Sequence, residues 1–195
     1  AHADLREELG GEAYSRACAA GRSLDLGIGR LLQVGIRAYS KQEAELIQSD
    51  ERITTFFARD TQSPTRGKEA WNQWLKTLQT LSGPIHLTLD IDGLDGSLVP
   101  ATGTPVPGGL SFWQVIETIE AVFAAPKATV ISADVNEIVA QEGTPLTQFA
   151  AAMLATKAIG AHLKARKEGR WSPHGQGLGR NRKPSESTFF RDSVN

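Results

Sequence analysis

Short apolar runs and longer amphipathic stretches alternate along most of the chain. Four runs are rich in apolar residues and predict buried strands, at 33–37, 53–57, 85–91 and 129–135. Four longer stretches predict helices, the last three from apolar residues at helical spacing, at 41–50, 68–81, 112–125 and 145–163. Strands that alternate with helices predict an α/β fold with a mostly parallel sheet and right-handed crossovers.

Helix starts are marked by capping patterns. Residues 40–43 (SKQE) and 111–114 (SFWQ) place a serine three positions before Glu or Gln, which is the pattern of a capping box. At the last helix, Thr144 is predicted to be the N-cap and Pro145 the first helical residue. These patterns set the expected boundaries of the helices.

The pattern changes after residue 168. Residues 169–195 show no hydrophobic period and are rich in Gly, Arg, Ser and Pro. Such a composition favours a disordered or non-native tail. We therefore expect one domain over 1–168, followed by this tail.

Composition narrows the class of protein. The 195 residues suffice for one domain with a core, and the net charge of −1 indicates no general attraction to nucleic acid or membranes. No apolar run approaches the roughly 18 residues that span a bilayer. The single cysteine excludes an intrachain disulfide and favours a reducing, cytoplasmic location.

Candidate chemistry begins where the third apolar run ends. Asp90 and Asp92 are two positions apart, so on a continuous strand their side chains would project together. Two close carboxylates repel unless a proton or a cation lies between them. Asp95 follows in a glycine-rich turn. The spacing predicts a metal site, and the alternative is a solvated acidic turn.

Two further pairs of polar residues are expected at the same edge of the sheet. His2 and Asp4 stand two apart at the start of the chain, and Asp134 and Glu137 close the fourth apolar run. Ligands of open α/β sheets gather at the carboxyl ends of the strands. One imidazole with several carboxylates is a hard donor set that suits Mn²⁺, and two such ions can polarise an unreactive group such as guanidinium.

The segment 85–110 (IHLTLDIDGLDGSLVPATGTPVPGGL) resembles the signature of the ureohydrolases, the arginase/agmatinase family. The family pattern is Asp-x-Asp-x-x-Asp-Pro, then Pro-Ala/Gly-x-Gly-Thr-Pro and Gly-Gly-Leu, and only Gly96 departs clearly, where proline is usual. Residues 1–4 (AHAD) match the last four positions of the family's Asp-Ala-His-x-Asp. The resemblance covers roughly 1–168, and the segment 31–47 (LLQVGIRAYSKQEAELI) is more similar to agmatinases than to arginases.

The resemblance implies a three-layer α/β/α, arginase-like fold that is incomplete at its N-terminus. The family's Gly-Gly-Asp-His motif is not in the sequence, and a bridging aspartate would fall just before Ala1, so we expect an N-terminal portion to be missing. The resemblance also implies two Mn²⁺ ions. Four side chains match metal ligands of the family, with Asp90 bridging the ions: His2, Asp4, Asp90 and Asp92.

The same resemblance gives roles to the remaining polar residues. Glu137 matches the carboxylate that receives the guanidinium through two parallel hydrogen bonds, and Asp92 would serve catalysis as well as metal binding. Asp134 and Asp95 would support these side chains without touching the metal, although Asp134 could equally be a simple capping or solvated residue. Arg16 stands where agmatinase-like members have the proposed proton-shuttle histidine, and arginine does not release its proton near neutral pH.

The implied activity is manganese-dependent hydrolysis of a small cationic guanidino substrate, agmatine to putrescine and urea, in polyamine metabolism. One alternative is a hydrolase of arginine, a guanidino acid or formiminoglutamate. Another is a truncated protein of the same fold without catalysis, which Arg16 and the missing ligands favour. Family members also lead us to expect a homo-oligomer, a trimer or hexamer.

Overall fold

The computed structural model describes residues 1–141, 143 and 145–171. The strands are β1 Leu31–Ile36, β2 Ile53–Phe57, β3 Ser82–Asp90 and β4 Lys127–Asn136. The helices are α1 Ala19–Asp25, α2 Lys41–Ser49, α3 Ala58–Thr61, α4 Gly67–Leu78, α5 Phe112–Ala124 and α6 Leu146–Lys167. Two 3₁₀ turns occupy Arg16–Cys18 and Ile91–Gly93.

The strands form two parallel pairs. Within the described part of the chain, β1 pairs with β2 and β3 pairs with β4, each as a two-stranded sheet. In the second pair Asp90 lies opposite Asn136, so both strands end at the same edge. All four predicted strands and the α/β class are confirmed. The ends of β3 and β4 together position the candidate site.

The main hydrophobic core lies between α4, α5, α6 and the β3–β4 pair. Ile119 of α5 and Leu154 of α6 are completely buried in it. The two tryptophans of α4 pack there too, and each indole N–H finds a partner: Trp71 donates to Glu117 at 2.6 Å and Trp74 to Thr118 at 3.0 Å. Both tryptophans are buried in the core, and each buried indole N–H has the acceptor that it needs. They therefore have a structural role, as their helical spacing predicts.

Local capping patterns set most helix boundaries correctly. Both predicted capping boxes are present, at the start of α2 and at the start of α5. The start of α6 differs by one residue: Pro145 is the N-cap, not the first helical residue, because its ψ of 1° lies outside the helical range. The predicted N-cap, Thr144, is outside the described residues.

The first residues of the predicted tail pack against the domain. Gly169 takes a φ of 69° directly after α6. Arg170 then donates to the Phe123 carbonyl, and the Trp171 indole donates to the Val130 carbonyl at 3.2 Å. The rest of the predicted tail, 172–195, is outside the described residues. None of the helices that the structure describes has the length and apolar character to cross a membrane.

Candidate active site

The end of β3 delivers the two central aspartates, but not on one regular strand. The strand stops at Asp90, and Asp92 lies in the 3₁₀ turn that follows. The two aspartates therefore do not project together from one continuous strand, although their spacing had led us to expect this. The two carboxylates still interact, because the negative charge of Asp92 contributes to the raised pKa of Asp90.

Asp92 is the buried centre of a contact between distant parts of the chain. Its side chain is only 1% exposed. It accepts hydrogen bonds from the backbone nitrogen of Ala1 at 2.7 Å and from Thr104 at 3.5 Å, and it lies 3.0 Å from His2 Nδ1. Residue 2 itself forms a parallel bridge with Ala38, just after β1. The N-terminal segment and the end of β3 thus meet at one point, as the sequence predicts.

The carboxylates near this point are short of positive charge. Burial, and then the charge of Asp90, raise the pKa of Asp4 to about 7, with smaller contributions from Asp92 and Glu137. Burial is also the largest cause of the raised pKa of Asp90, and Asp92 and Glu137 add to it. A desolvated group of acids that repel one another is an environment that a cation would stabilise.

The donor types fit a hard divalent ion such as Mn²⁺, since they are carboxylate oxygens and one imidazole. The positions of these side chains, however, do not form a metal site. Among the described residues, no three or more His, Cys, Asp or Glu side chains are placed so that they could hold a metal ion. The four predicted ligands, His2, Asp4, Asp90 and Asp92, therefore stay predictions, and no reaction step through a metal follows from this geometry.

Glu137 already binds a guanidinium, from Arg16. The Arg16 Nη1 atom donates to both carboxylate oxygens of Glu137, at 3.1 and 3.2 Å. The arginine side chain is 84% exposed and the glutamate side chain 19%. One nitrogen thus serves both oxygens, in place of the two parallel hydrogen bonds predicted for a substrate, and the role of Glu137 as the guanidinium-binding residue stays a prediction.

Asp4 and Glu137 share an unusual backbone conformation. Their φ values are 55° and 63°, and among the described residues they are the only non-glycines with positive φ. A residue held in this region costs on the order of 1 kcal/mol or more, and such residues cluster at functional sites. The strain is therefore located at two of the candidate site residues.

Asp134 interacts with β3 and with its own strand rather than with Glu137. It lies 3.0 Å from His86 Nε2 and accepts a hydrogen bond from Asn136 at 2.7 Å. His86 in turn contacts Ser132 at 2.8 Å. These contacts join the middle of β3 to the C-terminal half of β4. Whether Asp134 supports a bound metal stays a prediction.

Asp95 organises the loop that follows the central turn. It accepts hydrogen bonds from Ser97 N and Oγ at 3.0 and 2.6 Å, and from the amides of Gly108 and Gly109 at 2.6 and 3.1 Å. Hydrogen bonds from Ser97, and then those from the two glycines, lower the pKa of Asp95 to about 2. At Gly109 a Cβ atom would lie 2.5 Å from the Leu94 carbonyl carbon, so this close approach requires glycine. The hydrogen bonds from Gly108 and Gly109 to Asp95 thus hold together the two ends of the loop that carries Thr104.

Arg37 is a second organiser of this region, and the sequence did not reveal it. Its guanidinium donates to the carbonyls of Asp92, Leu94 and Val106, at 2.9, 3.0 and 2.5 Å respectively. It thereby ties the end of β1 to both sides of the loop. A lone arginine after an apolar strand is a weak signal, because nothing in the local pattern shows which carbonyls it will meet.

Parallel strands with mutually repelling carboxylates at their ends define the class: an α/β protein with an acidic site at its strand ends. Residues 1–160 match the sequence model of the Arginase family. The chain belongs to the arginase family.

Named relatives and solved structures agree with this assignment. The chain is 34% identical over 164 residues to the N(1)-aminopropylagmatine ureohydrolase of Thermococcus kodakarensis, covering 84% of this chain and 53% of that protein. It is 31% identical over 160 residues to the agmatinase of Pyrococcus horikoshii, covering 82% and 52%. The crystal structure of agmatine ureohydrolase of Thermoplasma volcanium superposes with a TM-score of 0.71 at 27% identity, covering 86% of this chain and 54% of that one. The chain thus spans about half the length of the relatives it matches.

Proposed function

We propose that this chain belongs to an enzyme that hydrolyses the guanidino group of a small cationic substrate, agmatine, to putrescine and urea. The main observation in support is that both carboxylate oxygens of Glu137 accept hydrogen bonds from the guanidinium of Arg16. Glu137 also lies near acids that repel one another. The names of the relatives support the substrate class, since agmatinase and N(1)-aminopropylagmatine ureohydrolase both name guanidino compounds with a cationic far end.

In this proposal Mn²⁺ is the metal, two ions per complete site. His2, Asp4, Asp90 and Asp92 would hold it, and when bound it would supply Lewis-acid polarisation of the guanidino group. Glu137 would bind and orient the substrate guanidinium, because a carboxylate and a guanidinium match in geometry as well as charge. Arg37 and Asp95 would keep the 91–110 loop in place, so that Thr104 stays near Asp92.

A non-catalytic protein of the same fold is the second candidate. It is favoured by Arg16, whose guanidinium occupies Glu137 and cannot act as a proton shuttle near neutral pH. Assembly as a homo-oligomer, a trimer or hexamer, and a cytoplasmic location are further predictions, which follow from the resemblance and from the composition.

Urea release separates the two candidates. The chain, extended at its N-terminus by the family segment that carries Gly-Gly-Asp-His and incubated with MnCl₂ and agmatine, is expected to release urea, and Asp90→Ala and Glu137→Gln in that protein are expected to abolish the release. The matched control is Arg66→Ala, which removes an exposed arginine paired with Asp60 away from the site. Agmatine binding without urea would favour the non-catalytic protein. The absence of both agmatine binding and urea release would contradict the proposed function.

A further inference from the structure

The Arg16–Glu137 pair joins an anchored backbone to an exposed side chain. Arg16 starts the 3₁₀ turn Arg16–Cys18, and Cys18 is completely buried. The turn therefore holds the base of the arginine in place, while its side chain reaches across solvent to a residue 121 positions away in the sequence. The guanidinium can leave Glu137 without disturbing the core.

Arg16 carries the same chemical group as the proposed substrate. It contacts both oxygens of Glu137 through one nitrogen, so an incoming guanidinium that pairs with both oxygens competes with Arg16 for them. A pair as exposed as this one is weak, and its loss changes an equilibrium by roughly two- to fivefold. Arg16 thus competes with the substrate without closing the site.

Once displaced, the guanidinium of Arg16 needs a new partner. Within the described residues, Glu137 is the only carboxylate that forms an ion pair with it. A substrate whose far end is a carboxylate would provide one, since the exchange then creates two ion pairs in place of one. A substrate whose far end is an ammonium would instead bring a like charge towards the free arginine, which is unfavourable.

We propose that Arg16 is a specificity-determining residue: it competes with the substrate guanidinium for Glu137 and shifts the preference of the site from guanidino compounds with a cationic far end towards those with an anionic far end. This inference rests on the proposed function and concerns the relative affinity for the two substrate classes. It is independent of whether the chain turns over.

Calorimetric titration with two probes tests the proposal. Agmatine and 4-guanidinobutanoate share a guanidino head and differ in the charge of the far end. Each is titrated into the full chain and into Arg16→Ala and Arg16→Gln, with and without MnCl₂. Arg16→Ala and Arg16→Gln are expected to bind agmatine two- to fivefold more tightly and to bind 4-guanidinobutanoate no more tightly, or more weakly. Arg66→Ala is expected to change neither affinity.

The outcomes distinguish this inference from the function it rests on. If Glu137→Gln abolishes binding of both probes while the Arg16 variants match the unmodified chain, the inference fails and the guanidinium site stands. The inference also fails if both probes gain affinity equally, since that shows competition without selectivity. If no chain binds either probe, or Glu137→Gln leaves binding unchanged, both proposals are overturned. Melting curves of the Arg16 variants verify that they fold.

Discussion

Replacing Arg37 by alanine tests whether this arginine holds the site loop to the end of β1. The substitution removes hydrogen bonds that all three guanidinium nitrogens donate to backbone carbonyls: Nε to Val106 at 3.1 Å, Nη1 to Gly35 at 3.0 Å and Nη2 to Asp92 at 2.9 Å. A net hydrogen bond is worth about 1 kcal/mol, and more when the donor is charged. Arg37→Ala should therefore lower the free energy of unfolding by about 3 kcal/mol, a large part of the 5–15 kcal/mol typical of a domain.

Urea denaturation followed by tryptophan fluorescence measures this loss. Arg37→Lys provides a graded comparison, because an ammonium keeps the charge but has only three donors and no fork geometry; about half of the loss is expected. Arg66→Ala, at an exposed ion pair, should stay within about 0.5 kcal/mol of the unmodified chain. An Arg37→Ala variant that loses less than about 1 kcal/mol would refute the view that this guanidinium stabilises the loop.

Three other predictions concern the same loop and the acids beside it. Asp95→Asn should cost about 2 kcal/mol, because a carboxylate that accepts four hydrogen bonds is replaced by an amide. The pKa of Asp95 is lowered to about 2, so its contribution to the free energy of unfolding is complete above the usual aspartate pKa near 4 and is lost as the pH falls towards 2. Denaturation at pH 5 and at pH 2.5 should therefore show that the difference in stability between Asp95→Asn and the unmodified chain becomes smaller at the lower pH. Gly109→Ala should cost about 2 kcal/mol through the contact with Leu94, whereas Gly103→Ala, where a Cβ meets nothing within 4 Å, should be nearly neutral; equal melting temperatures would contradict the crowding at Gly109. Asp90→Asn should raise the melting temperature in EDTA, because it relieves repulsion between acids, and should weaken any stabilisation by MnCl₂; a lower melting temperature in EDTA would contradict the electrostatic reasoning.

Local patterns predicted what local forces determine. The capping boxes at Ser40 and Ser111 and the four strands follow from a few neighbouring residues, so the sequence was sufficient for them. Pro145 shows the limit of that approach, because its fixed φ suits both the N-cap and the first helical position, and only ψ separates the two.

Contacts between residues far apart in the sequence could not be predicted from the hydrophobic and capping patterns. The family signature indicated which polar residues should meet, yet it could not place Asp92 in a 3₁₀ turn or show that Arg37 binds backbone carbonyls on the far side of the loop. The pairing of Arg16 with Glu137 depends on how two segments 121 positions apart are folded together. Such contacts have no period and no fixed spacing, so a single sequence contains no direct sign of them.

The left-handed backbone at Asp4 and Glu137 has a consequence for mutational scanning. Glycine is the residue that adopts this conformation without steric cost, so a glycine at either position would remove both the strain and a buried or half-buried charge. A scan read out by expression or thermal stability should then score these substitutions as tolerated or favourable. The same scan read out by ligand binding should score them as damaging. Disagreement between the two readouts at these two positions would identify them as residues retained for binding at the expense of stability.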